Sequence, residues 1–122
     1  MKESPIFTRT YDLLRWLIPA TLKFPRQHRF VMAETLQRAA LSFQDAILEA
    51  GHARRPVAEL ARADLALARL KLYLRLSHDL DLLSHGQYQH VARIVDEIGR
   101  LLGGWRKSLQ QRPPGAPSSG IA

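Results

Sequence analysis

The sequence predicts an all-α protein, an up-down-up-down antiparallel four-helix bundle. Apolar residues recur at spacings of three and four along four long stretches. Short connections carrying Pro or Gly separate these stretches, as is usual between antiparallel neighbours. No stretch shows the alternating, β-branched pattern of a strand. We expect one bundle domain over residues 1–109, followed by a disordered Pro/Gly/Ser tail over residues 110–122.

The first helix is predicted from about Pro5 to Lys23, with Ser4 as N-cap and proline at the first helical position. Pro19 lies inside this pattern and is expected to bend or tighten the helix, because it removes a hydrogen bond. Two apolar stripes run along the helix. The main one, expected to face the core, consists of Phe7, Tyr11, Leu14, Ile18 and Leu22. The flanking one consists of Ile6, Leu13 and Leu17.

The second helix is predicted to begin between Pro25 and Arg29 and to end near Ala50, with Gly51 just beyond its end. Its predicted core residues are Met32, Leu36, Ala39 or Ala40, Phe43 and Ile47.

The third helix, from Arg55 or Pro56 to about Leu82, carries two apolar stripes. One consists of Ala61, Leu65, Ala68, Leu72 and Leu76, and the other of Leu60, Leu67, Leu70 and Leu74. A helix that is apolar on two faces usually buries both. We therefore expect one face to pack in the monomer core and the other against a partner subunit.

The fourth helix is predicted from about His85 to Leu109. Ser84 and Gln87 have the spacing of a capping box. Its expected core residues are Val91, Ile94, Ile98, Leu101, Trp105 and Leu109. The pair Gly103-Gly104 inside this helix is expected to be compensated by the close approach of a neighbouring group.

Composition argues against an enzyme. The chain has no cysteine, which excludes thiolate chemistry and suits a reducing cytoplasm. There is no phosphate-binding loop or HExxH motif, and no histidine pair has metal-ligand spacing on one helix. No apolar run is long enough to span a membrane. We therefore predict no catalytic residue, no cofactor and no metal site, although a small enzyme using a histidine and a carboxylate stays an alternative.

The charge points to an anionic partner. The net charge is +7, and arginine, whose planar fork matches phosphate oxygens, supplies most of the cations. Two groups are predicted to contact phosphate. The first spans the turn between helices 2 and 3, the third helix and the end of the fourth: Arg54, Arg55, Arg62, Arg69, Arg75, Arg106 and Lys107. The second lies between helices 1 and 2: Lys23, Arg26 and Arg29. The same residues would equally stabilise helix ends and keep the surface soluble.

Four strings of this sequence resemble the accessory variability determinant (Avd) proteins of diversity-generating retroelements. They are residues 10–19 (TYDLLRWLIP), 23–30 (KFPRQHRF), 70–80 (LKLYLRLSHDL) and 96–107 (DEIGRLLGGWRK). The resemblance spans about residues 5–108. It extends to a wider four-helix-bundle superfamily that includes proteins encoded in intervening sequences of bacterial 23S rRNA genes.

The resemblance to Avd implies a non-catalytic cytoplasmic accessory protein. Such proteins form barrel-shaped homopentamers and bind the reverse transcriptase of the retroelement and its template-repeat RNA or cDNA. They support mutagenic retrohoming, and the family supplies no catalytic residue to place on this chain. The alternative is an oligomeric interaction protein of the rRNA intervening-sequence group without an RNA-binding role.

Overall fold

The computed structural model describes residues 4–110, and this part of the chain contains helices and no strand. Four long helices form it: α1 (Pro5–Leu22), α2 (Glu34–His52), α3 (Val57–Asp79) and α4 (His85–Gln110). A helical turn, Arg26–His28, and a π-helical stretch, Arg29–Ala33, lead directly into α2. The predicted tail, apart from Gln110, lies outside the described residues.

The helices pack in a closed ring, each against its neighbours in sequence, with α1 also against α4. The α2–α3 contact is the most extensive. Contacts at one end of the bundle fix the directions. The ring of Phe7, near the start of α1, lies 6.2 Å from that of Trp105, near the end of α4, and close to Gly51 at the end of α2. The predicted up-down-up-down bundle is confirmed.

The core face of α1 differs from the predicted one. Tyr11 and Leu22 are 61% and 60% exposed, whereas the flanking stripe of Ile6, Leu13 and Leu17 is buried. Two threonines complete the buried face, and their hydroxyls donate to main-chain carbonyls of the same helix. A threonine bonded in this way is buried at little cost. The buried face of α1 therefore includes polar residues and follows the flanking stripe rather than the main one.

The two apolar stripes of α3 differ in burial. The residues Leu60, Leu67, Leu70 and Leu74 are buried in the core. The stripe of Ala61, Leu65, Ala68, Leu72 and Leu76 is exposed. The two-faced character predicted for this helix is therefore confirmed, with one stripe in the monomer core and the other exposed.

The predicted capping box at the start of α4 is confirmed. The main-chain N–H of Gln87 donates to Ser84 Oγ at 3.1 Å, and the N–H of Ser84 donates to Gln87 Oε1 at 2.9 Å. The core face of α4 is turned slightly from the predicted one. Val95 and Leu102 are fully buried beside Val91 and Ile98, while the predicted residues Ile94, Leu101, Trp105 and Leu109 are partly buried.

The predicted end near Ala50 is two residues early, and the predicted place of Gly51 just beyond the helix is wrong, because α2 continues to His52. A Cβ at Gly51 would lie 3.3 Å from Phe7 Cζ, so this glycine admits the Phe7 ring rather than ending the helix. The αL position is instead used after α3, by Asp81 with φ 62°. There the N–H of Leu82 donates to the Ser77 carbonyl at 2.8 Å and closes the helix end.

One partly buried hydrogen bond joins side chains of two long helices within residues 4–110. Gln37 Nε2, on α2, donates to Thr21 Oγ1, near the end of α1, at 2.8 Å. The same hydroxyl donates to the Ile18 carbonyl at 2.9 Å, so this oxygen both donates and accepts. The contact fixes the end of α1 beside the start of α2.

The expectation for Gly103 and Gly104 is also wrong. A Cβ at either position would meet no atom of residues 4–110 within 4 Å, so no close neighbour in this part of the chain explains the glycines. Both are exposed on α4. Their absent side chains are therefore not required by packing within the monomer.

We expect Gly104→Ala to stabilise the chain by about 0.5–1 kcal/mol, because alanine loses less backbone entropy in a helix interior. Gly51→Ala is the matched control and should gain less, since its Cβ presses on Phe7. The free energy of unfolding, measured in urea, compares the two. Equal gains at both positions would show that the Phe7 contact does not matter.

No helix among residues 4–110 is long and apolar enough to cross a membrane.

Candidate nucleic-acid interface

The structure places every predicted phosphate-contacting residue at the surface. Nine of the ten are exposed, and Arg106 is partly buried. Arg54 and Arg55 lie in the turn after α2, and Arg106 and Lys107 lie near the end of α4. Arg106 Nη1 lies 3.3 Å from Asp64 Oδ2 in the first half of α3. The predicted juxtaposition of these two basic segments at one end of the bundle follows from this contact.

Two of the predicted residues are already paired with carboxylates. Arg62 bonds Glu49 across the α2–α3 contact, and Arg106 bonds Asp64. The groove of about 320 Å³ beside Arg62 and Arg69 also contains Asp45. An arginine that faces a carboxylate contributes less positive potential to an approaching phosphate than an unpaired one.

The other members of the first group have no carboxylate within ion-pair distance in the described part of the chain. They are Arg54, Arg55, Arg69, Arg75 and Lys107. Arg69 lies near the middle of α3 and Arg75 in its last two turns, on a different side of the helix. These five residues form the unpaired basic surface.

The second predicted group lies at the opposite end, where α1 joins the helical segment before α2. Lys23 follows α1, Arg26 begins the short helical turn and Arg29 begins the π-helical stretch. Within residues 4–110 none of the three has a carboxylate partner. The structure therefore places the second group at the end of the bundle opposite the turn between α2 and α3, whereas Arg75 of the first group, near the end of α3, lies in the same half of the bundle as the second group.

An apolar patch beside the second group was not predicted. Leu22, Phe30 and Val31 are 60%, 80% and 64% exposed. Leu22 and Phe30 line an open groove of about 590 Å³ together with Arg26 and Arg29. Phe30 stands outside the helical spacing of the predicted α2 core, and that position was the available sign of its exposure.

Arg9 was also missed, and its role is to join α1 to α4. Its Nε donates to Glu97 Oε2 at 2.9 Å and its Nη1 to Asp12 Oδ2 at 2.8 Å. The hydrogen bond with Glu97, ahead of the smaller effect of Asp12, raises the pKa of Arg9 above its ordinary value. With both carboxylates already in contact, this arginine is a poor phosphate ligand.

The histidines at the α3–α4 turn pack against an aromatic ring. The ring of His78 stacks on that of Tyr88 at 4.5 Å and 15°, and the ring of His85 lies 5.6 Å from that of His78. Asp79 Oδ1 is 3.7 Å from His78 Nδ1. Within the described residues, no three His, Asp or Glu side chains are grouped closely enough to hold a metal ion.

Two further apolar surfaces lie on different faces of the bundle. One is the exposed α3 stripe. The other is a groove of about 560 Å³ between α1 and α2, lined by Phe7, Thr8, Tyr11, Gln44 and Leu48. Contiguous exposed apolar surface usually marks a contact with another molecule.

The family model described as bAvd-like matches residues 6–109. This chain belongs to the bAvd-like family. The match covers all four helices of the bAvd-like bundle and both basic groups. It confirms the resemblance to Avd proteins at the level of the family. A search of curated proteins found no match to this bAvd-like chain.

Proposed function

We propose that this bAvd-like chain is a non-catalytic accessory protein of a diversity-generating retroelement. In this role it binds the reverse transcriptase and the template-repeat RNA or cDNA, and so supports mutagenic retrohoming in the cytoplasm. The observation that carries the proposal is the family match over residues 6–109, which spans the whole bundle. The chemistry of cDNA synthesis then belongs to the polymerase.

The distribution of charge supports the nucleic-acid part of the proposal. The chain carries a net charge of +7, and the unpaired basic surface presents arginines that no carboxylate neutralises within residues 4–110. A phosphate polymer that contacts several such cations releases counterions, which gives affinity without sequence preference. These residues, rather than Arg62 and Arg106, are the proposed main phosphate contacts.

The two apolar surfaces support self-assembly. The α3 stripe belongs to one helix, whereas the groove containing Tyr11 and Leu48 lies between two others. Two different apolar surfaces on one chain allow head-to-tail contacts, which close into a ring when the rotation allows. We propose a homo-oligomer, and the resemblance to Avd favours five subunits. A ring also repeats the basic surface once per subunit, which strengthens the field around a bound strand.

The competing function is an oligomeric interaction protein of the rRNA intervening-sequence group. The exposed α3 stripe suits that function equally well, because both need contacts between subunits. The unpaired basic surface favours the retroelement function, since an interaction protein indifferent to RNA does not require it.

Copurification tests the proposal. The full chain, expressed with a reverse transcriptase and template-repeat RNA from the same locus, should elute with both, and light scattering should give a mass that includes several copies of the chain. Nuclease treatment of a parallel sample separates direct contact with the polymerase from a bridge through RNA. A monomeric chain that retains neither partner would contradict the proposal, whereas an oligomer that retains neither would favour the competing function.

A further inference from the structure

The α1–α2 corner, defined here as residues Leu22, Lys23, Arg26, Arg29, Phe30 and Val31, combines exposed apolar side chains with cations. Phe30 is 80% exposed, the highest exposure among the large hydrophobic residues in the described part of the chain. Leu22 and Phe30 line the same groove as Arg26 and Arg29. An aromatic face beside two guanidinium groups thus stands open to solvent.

The groove is positive because the one acidic residue of the described chain that lines it forms an ion pair with an arginine. Glu34 lines the groove but forms an ion pair with Arg38, four residues further along the helix. Lys23, Arg26 and Arg29 have no carboxylate partner within residues 4–110. This charge balance favours a polyanion as occupant.

Local backbone structure sets the corner apart from the rest of the bundle. Arg29–Ala33 is wound as a π-helix between two α-helical segments, and single π-helical turns occur frequently at functional sites. Met32 and Ala33 in this stretch are buried, so they anchor it to the core. Because these two buried residues hold the backbone against the core, the side chains of Phe30 and Val31 are held towards solvent.

We propose that the α1–α2 corner is a binding site for single-stranded nucleic acid, in which a base stacks on Phe30 while Arg26 and Arg29 contact the flanking phosphates. Stacking on an aromatic side chain needs a base whose face is free, so it selects a single strand over a duplex. The inference rests on the proposed function and deepens it. The corner recognises a template or nascent strand whose bases are not in a duplex. The unpaired basic surface binds phosphates in any strand.

Tyr11 offers a matched control for Phe30. It is also an exposed aromatic residue, at 61%, but among residues 4–110 no cation lines its groove between α1 and α2. If any exposed aromatic ring stacked on a base, both residues would affect the preference for a single strand over a duplex. If the combination with arginines is required, only Phe30 will affect that preference.

The test measures fluorescence anisotropy of a labelled, unstructured RNA strand, and of the same strand in a duplex, with the full chain. Phe30→Ala should weaken binding of the single strand by about fivefold or more, as expected for the loss of one stacked base. Phe30→Ala should not change binding of the duplex. Tyr11→Ala, which alters a proposed subunit contact, should leave the ratio of single-strand affinity to duplex affinity unchanged. Phe30→Leu should weaken binding like Phe30→Ala, because leucine keeps the apolar surface but lacks the aromatic face, whereas Phe30→Trp should retain the wild-type affinity.

Three results would overturn the inference. The first is wild-type affinity in both Phe30→Ala and Phe30→Leu, and the second is an equal loss for single strand and duplex. The third is a lower oligomer mass in light scattering with strand binding kept, which would make the corner a protein contact. Failure of the proposed function looks different, since the wild-type chain would then bind neither strand nor duplex. Circular dichroism checks that each variant is folded.

Discussion

Leu70→Ala is expected to lower the free energy of unfolding by about 2–5 kcal/mol, because it removes a fully buried leucine from α3 and leaves a cavity. Leu72→Ala, two residues away on the same helix, removes the same atoms from a side chain that is 59% exposed. In dilute solution it should change the free energy of unfolding by no more than about 0.5 kcal/mol. Urea unfolding followed by circular dichroism measures both.

The pair distinguishes the two faces of α3. A large loss at Leu70 and a small one at Leu72 would confirm that only one leucine stripe belongs to the monomer core. Comparable losses at low protein concentration would contradict the structure. At higher concentration Leu72→Asp should reduce the mass measured by light scattering, because it places a charge in the proposed subunit contact.

Neutralising four unpaired arginines is expected to weaken RNA binding by about 100-fold at physiological salt, since each lost phosphate contact removes about 0.7 from the salt slope for a single strand. The variant carries glutamine at Arg54, Arg55, Arg69 and Arg75. Its control carries glutamine at the four arginines that bond carboxylates: Arg9, Arg38, Arg62 and Arg106. Both variants lose the same net charge.

Binding titrations at several salt concentrations measure the affinity and its slope for each variant. The unpaired set should lower the slope by about 3, and the paired set should lower it far less. Equal losses in the two variants would mean that net charge alone governs binding and that ion pairing does not select the contacts. Small losses of stability are expected in the paired set, because ion pairs exposed to solvent contribute little to the free energy of unfolding.

Features that depend on short stretches of sequence were predictable. The four helices follow from apolar spacing, and the cap of α4 follows from the separation of Ser84 and Gln87. The two stripes of α3 were predicted because leucine and alanine leave little ambiguity. The core face of α1 was not, because Thr10 and Thr21 are buried by bonding to their own helix. Hydroxyl groups that satisfy themselves locally have no sign in a hydropathy pattern.

The sequence predicted which basic residues are exposed at the candidate interface, but not which of them form ion pairs with carboxylates. Arginines are exposed almost regardless of fold, so naming them needed only composition and helix ends. Arg62 meets Glu49 and Arg106 meets Asp64 only because the bundle brings different helices together. The α1–α2 corner depends on the π-helical stretch, which does not follow from helical periodicity, and on the exposure of Phe30, which is indicated only by its position outside the spacing of the α2 core.

The hydrogen bond between Gln37 and Thr21 bears on the alignment of the bundle. Helices that meet only through aliphatic side chains can slide along one another at modest cost, because such contacts lack direction. A directional polar contact in a partly dry interface favours one height of α1 relative to α2. We therefore expect Gln37→Leu to shift the π-helical stretch that carries Phe30 along the axis of α1 while leaving the helices themselves intact.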